Sequence, residues 1–109
     1  MTIIQTGDFW VADIQFTDGS GSKKRPVLVL WLDGSDVVTA VVTSATPNTV
    51  TDIPLTDWRG AGLRVASTVR LSRLDCLEHS LLIRRLGHIS ASDAQTLKTV
   101  WADHMVLRF

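Results

Sequence analysis

R-P-V-L-V-L-W-L-D-G-S-D-V-V-T-A-V-V-T, Arg25 to Thr43, decides the fold. Val27 to Leu32 is an unbroken apolar run, too short for a helix and bounded by turn residues, so it reads as a strand buried on both sides or nearly so. Asp33-Gly34-Ser35-Asp36 is a short hairpin connection, and Val37 to Thr43 is its β-branched return strand. Upstream, G-S-G-S (Gly19 to Ser22) is flexible, and Lys23, Lys24 and Arg25 form a positively charged turn at the mouth of the buried strand. Pro26 restricts Arg25 to extended geometry, so its planar fork is aimed rather than free. A yielding loop on a rigid strand is a common way to hold charge over a ligand, here a polyanion such as nucleic acid.

Outward from this hairpin, residues 8–16 alternate, with Trp10, Ala12, Ile14 and Phe16 on one face of a strand. Thr17 to Ser22 reads as a loop, and Thr43 to Asp52 as a longer polar one. Ile53 to Thr56 is a short strand before the W-R-G-A-G-L turn. Ser67 to Leu74 alternates Val69 and Leu71 against Thr68, Arg70 and Ser72, and Leu81 to Ile89 is a further strand. Ser90 and Asp93 form a capping box, after which Ala94, Leu97, Val100, Trp101, His104 and Met105 recur at helical spacing. Several short strands and one terminal helix predict a mainly β protein, a small antiparallel barrel with a C-terminal α-helix. Residues 1–109 read as one domain.

The 109 residues balance 11 Lys and Arg against 11 Asp and Glu. That argues against a generally basic, nucleic-acid-coating surface. The first 55 residues hold six acids and only three cations, Lys23, Lys24 and Arg25, so the basic character is a local site. No apolar run is long enough to span a membrane, and the start lacks a signal peptide's regions, so a soluble cytoplasmic protein is expected. The single Cys76 excludes an internal disulfide and reads as a small core residue. There is no Walker loop and no G-x-G-x-x-G. His79, His88 and His104 are spaced too widely for a local metal motif, and His104 falls on or beside the buried helix face. No metal and no cofactor are expected.

Two polar groups carry chemistry. A charge run is often just a solvated loop, but in a hairpin of these lengths Thr43 comes to lie near Arg25. A fixed guanidinium beside the hydroxyls of Thr43, Ser44 and Thr46 is equipment for gripping a phosphate. Trp58 either stacks on a base or packs under the A-G-L turn.

G-D-F-W-V-A-D (Gly7 to Asp13), F-T-D-G-S-G-S-K-K-R-P-V-L-V-L (Phe16 to Leu30) and V-V-T-S (Val41 to Ser44) resemble the PemK/MazF family of type II toxins. The resemblance continues through L-T-D-W-R-G-A-G-L (Leu55 to Leu63), S-T-V-R-L-S-R-L (Ser67 to Leu74) and I-R-R-L-G-H-I-S-A-S-D (Ile83 to Asp93). It implies an SH3-like barrel of the PemK/MazF/CcdB type, a homodimer, a cognate antitoxin, and DNA binding through the antitoxin complex. It also implies metal-independent, sequence-specific cleavage of single-stranded RNA. Arg25 and Thr43 match the family's catalytic positions. Ser22, Lys23, Lys24, Ser44, Ser67 and Arg70 fall where RNA is bound. Some members carry an acid two residues after the counterpart of Arg70, where this chain has Ser72, so Arg70 is assigned to phosphate binding.

Such chemistry fits attack by the substrate's own 2′-hydroxyl, which needs alignment and charge stabilisation more than a cofactor. Arginine stays protonated, so Arg25 acts as a clamp or proton donor and the base is unassigned. Two rivals stand beside the ribonuclease. A CcdB-like toxin acting on a protein such as DNA gyrase would not need the R-P and T-S pairing. A non-catalytic binding module on the same barrel would be consistent with Ser72, and with Ala66 where many relatives carry proline.

Overall fold

The computed structural model describes residues 3–15 and 18–109. The strands are β1 (Asp8–Gln15), β2 (Ser22–Asp33), β3 (Asp36–Thr43), β4 (Asp52–Pro54), β5 (Thr68–Glu78) and β6 (Leu82–His88). A 3₁₀ turn (His79–Leu81) precedes β6, and helix α1 (Ala91–His104) ends the fold. All strand pairs are antiparallel, in the order β4-β5-β3-β2-β1-β6. The sheet is barrel-like but open, with β4 and β6 as its two edges.

The expected hairpin of β2 and β3 is present, from Val27 opposite Val41 to Asp33 opposite Asp36. The charged turn is not a turn. Lys23, Lys24 and Arg25 lie within β2, paired with Ile14, Asp13 and Ala12 of β1. Their side chains are exposed, and it is backbone pairing with β1 rather than burial that orders them. An apolar pattern registers only burial and so marks the strand only from Val27 onward. The β2–β3 ladder stops one residue short of Pro26, which has no N–H to contribute. Past that point β2 keeps only β1 as a partner, and a cleft opens between the ends of β2 and β3.

Alternation along the strands divides the apolar side chains between two faces. Phe9, Leu28, Ala40, Val69 and Leu71 lie beneath Leu97 of α1 and beneath Leu55 and Leu63. Trp10, Ala12, Val27, Val29, Val37 and Leu82 form the other cluster, with Ile14 packed against it. Phe16, expected beside Ile14, lies outside the described residues, as do Met1, Thr2 and Thr17. Gly62 has φ +86°, and a Cβ there would lie 2.0 Å from the Leu86 carbonyl oxygen. The W-R-G-A-G-L segment can press against β6 only as glycine.

The helix starts as expected, with Ser90 Oγ accepting from Asp93 N at 3.1 Å. The capping box is only half made. The Asp93 carboxylate instead accepts from Thr56 N, Thr56 Oγ1 and Asp57 N at 3.0, 2.8 and 3.0 Å, tying the helix to the β4–β5 connection. His104 is exposed rather than on the buried face, and Cys76 is exposed rather than in the core. β5 runs on to Glu78, beyond the stretch where the apolar pattern holds. No helix among the described residues is long and apolar enough to cross a membrane.

Candidate functional site

On β2, Arg25 and Lys23 continue the face of Val29 and Val27. On β3, Thr43 and Val41 continue the face of Val37 and Thr39. Extending the pairing of Val27 with Val41 by two residues sets Arg25 opposite Thr43. On β5, Arg70 is paired with Val41, so its side chain joins the same face. The pairing then jumps from Val41–Arg70 to Ala40–Leu74. Leu71, Ser72 and Arg73 therefore bulge out of the β3 ladder, and the phase of the strand shifts beyond them. The result is a cleft of about 330 Å³ whose polar wall is Lys23, Arg25, Thr43, Arg70, Arg73 and Asp75. Four cations face a single carboxylate, so the site attracts anions.

Neighbouring groups hold several of these side chains in place. Asp52, buried at the start of β4, accepts from Asn48 N and Thr49 N and pairs with Arg70 Nε at 3.3 Å. The bond from Asn48, aided by Arg70 and Thr49, keeps the Asp52 carboxyl below the usual range against the opposing effect of burial. The contact engages Nε and so sets the plane of the Arg70 guanidinium. Ala45 N donates to Thr43 Oγ1 at 3.1 Å, which leaves the hydroxyl proton free to be donated into the cleft. Thr39 Oγ1 donates to the Asp75 carbonyl at 3.2 Å and fixes the backbone beneath that carboxylate. Among the described residues, no three His, Cys, Asp or Glu side chains are grouped to hold a metal.

Residues 5–103 match the profile of the PemK-like, MazF-like toxins of type II toxin-antitoxin systems. The chain belongs to this toxin family. The fold is shared with an endoribonuclease from mycobacterial species (16% identity, TM-score 0.75, 100% of this chain and 97% of that one). It is shared with the Mycobacterium tuberculosis toxin MazF-mt6 (22% identity, TM-score 0.73, 94% and 99%). MazF of a MazE–MazF complex from Deinococcus radiodurans is similar too (18% identity, TM-score 0.72, 94% and 93%). No curated protein sequence matches the chain.

Of the positions singled out in the sequence of this PemK/MazF-type toxin, Lys23, Arg25, Thr43 and Arg70 come together in one cleft. Lys24 and Ser67 do not join them. They line a second cleft on the opposite face of β2, which Arg25 also borders, because adjacent strand residues point to opposite sides. The run of three cations is therefore two sites and not one knot. Ser67 Oγ donates to the Val65 carbonyl at 2.8 Å, so its proton is engaged in shaping the loop. Ser22 and Ser44 are exposed and line neither cleft. Trp58 packs against the core beneath Arg59, whose guanidinium lies 4.9 Å from the ring centroid. Arg73, Asp75 and Asp52 were not anticipated. Strict alternation from Arg70 sends Arg73 and Asp75 to the other face, and no residue in R-L-S-R-L-D announces the bulge that turns them back.

Proposed function

We propose that this toxin is an endoribonuclease that cuts single-stranded RNA without a metal, by attack of a 2′-hydroxyl on the adjacent phosphate. The observation that supports this reading is the convergence of Lys23, Arg25, Thr43, Arg70 and Arg73 on a cleft holding one carboxylate, in a chain of this family. Arg25 and the Thr43 hydroxyl bind the scissile phosphate, and Arg25 stabilises the charge that builds on it in the transition state. Arg70, oriented by Asp52, binds the same or the next phosphate. Asp75 takes the 2′-hydroxyl proton, a role that arginine cannot fill. The O2′–P bond forms as P–O5′ breaks, the 5′-oxygen is protonated by water, and a cyclic phosphate remains.

Lys23 within the cleft, with exposed Ser22 and Ser44 at the ends of β2 and β3 and Lys24 on the opposite face, grips the RNA on either side of the cut, while buried Ser67 shapes the loop. A cognate antitoxin is the protein partner, as for a structurally similar endoribonuclease solved with its own antitoxin. A homodimer in the cytoplasm completes the reading. The apolar surface at Trp31 and Trp101, which meet edge to face at 5.8 Å, suits a subunit contact.

The test is incubation of the protein with long single-stranded RNA in EDTA, beside Arg25→Ala and Thr43→Ala. The parent cuts at a short motif and leaves cyclic-phosphate ends, and Arg25→Ala loses about 10²–10³ in rate. Intact RNA at high protein concentration rejects the nuclease, and equal cutting by Arg25→Ala rejects the site.

A further inference from the structure

The second cleft has no role in the chemistry above. Its volume is about 210 Å³. Pro26 and Arg84 are each paired with Val11, so the three lie side by side across β2, β1 and β6 and form the floor. Leu63, Val65 and Leu86 wall it, and Gly62, pressed on β6, closes one end. Lys24, Arg25, Arg64 and Arg84 ring the apolar interior, and among the described residues no carboxylate lines it. The chain as a whole has as many acids as bases, so four cations without an acid mark a place for an anion with an apolar body. Between the two clefts lie β1 and the end of β2, where β2 has lost β3 as a neighbour. Arg25 reaches both sides of that end.

We propose that the second cleft binds the nucleotide next to the scissile phosphate, its base against Val11, Pro26, Leu63, Val65 and Leu86, with the phosphate on its far side and the one after it against Arg64 and Arg84. It thereby helps select the sequence that is cut. This rests on the RNA reading of the first cleft. A nucleotide suits the site because it joins a flat base with apolar faces to anionic phosphates through its sugar, and guanidinium groups such as those of Arg64 and Arg84 bind phosphate oxygens. Arg25, shared by both clefts, holds the two nucleotides in register.

Because Arg64, Val65 and Arg84 are exposed, they can be changed without disturbing the core. Binding is measured by fluorescence anisotropy with mixed-sequence 2′-O-methyl RNA, which cannot undergo 2′-hydroxyl attack. The paired change Arg64→Ser with Arg84→Ser weakens binding, and the slope of log affinity on log salt becomes shallower by about 1.4, since each phosphate contact on a single strand contributes about 0.7. Arg59→Ser, outside both clefts, changes neither. With cleavable RNA, Val65→Trp fills the cleft and alters the nucleotide preferred beside the cut. Equal binding and an unchanged salt slope in the paired variant overturn the proposal, as does an unaltered cutting pattern in Val65→Trp. Rim-dependent binding by a parent that never cuts cleavable RNA keeps this cleft and rejects the nuclease. Tighter binding of polyglutamate of equal charge, with the same dependence on Arg64 and Arg84, marks a peptide site and overturns the nucleotide.

Discussion

Arg25 and Asp75 line the same cleft with opposite charges, and in the proposed mechanism one binds negative charge while the other accepts a proton. A carboxylate there repels the substrate it serves, and this makes its role measurable. Asp75→Asn keeps the shape and removes both the charge and the base. RNA then binds more tightly, so KM falls, while kcat drops by about 10²–10³ as expected for loss of a general base. A carboxylate that merely tuned the field would give a lower KM with kcat preserved. Steady-state cleavage of a short RNA separates the two, and undiminished kcat in Asp75→Asn removes Asp75 from the mechanism. Arg70 depends on its neighbour in the same way, since Asp52 holds its guanidinium at 3.3 Å.

The strands place these side chains through their irregularities as much as through their regular pairing. Pro26 ends the β2–β3 ladder, and the Leu71–Arg73 bulge re-aims β5. Gly62 lets the connecting segment touch β6, and Gly62→Ala therefore meets two costs. The left-handed backbone alone costs about 1–3 kcal/mol for a residue with a side chain, and a Cβ 2.0 Å from the Leu86 carbonyl oxygen adds a clash with backbone. Urea denaturation should show at least the first loss, and a midpoint equal to the parent's would show that the segment does not need this contact. Val37–Thr43 and Ser90–Met105 were legible because burial at a fixed period leaves an apolar pattern, and Val27–Val29 because burial on both faces leaves an unbroken run. Trp31 and Leu32, expected buried at the end of that run, are 42% and 50% exposed. The hairpin made the approach of Arg25 to the end of β3 legible, but regular pairing from Asp33 and Asp36 would set Arg25 opposite Ser44, and it is the unmarked register shift between Val29 and Trp31 that sets it opposite Thr43. The strand character of Lys23 and Lys24 was not, because exposed residues paired to β1 carry no such pattern. Arg73 and Asp75 were hidden by a bulge that changes the phase without a glycine or proline to mark it.

Three buried carboxylates fasten parts of the molecule that are distant in sequence. Asp8 joins β1 to β6 through His88 at 3.0 Å and Arg85 at 3.3 Å. Asp52 joins β4 to β5, and Asp93 joins α1 to Thr56 and Asp57. Burial pushes Asp8 and Asp93 up, but the hydrogen bonds made to them prevail, so both carboxyls, like that of Asp52, sit below the ordinary range. A carboxylate whose pKa is lower folded than unfolded adds stability that is complete above the unfolded value of about 3.9 and lost as pH falls through the folded one. For these three groups, stability should therefore be level near neutrality and decline below about pH 4. Asp93→Asn isolates the helix fastening. At neutral pH the amide leaves some of the N–H donors of Thr56 and Asp57 without a good acceptor, at a cost of about 1–3 kcal/mol. Having no proton to gain, the variant also loses less of its remaining stability on acidification. Urea unfolding across the acid range measures both effects, and parallel pH profiles for parent and variant would show that Asp93 contributes nothing to the acid limit of the fold. Protonation of Asp52 in the same range frees Arg70, so the cleft loses its alignment together with the fold that holds it.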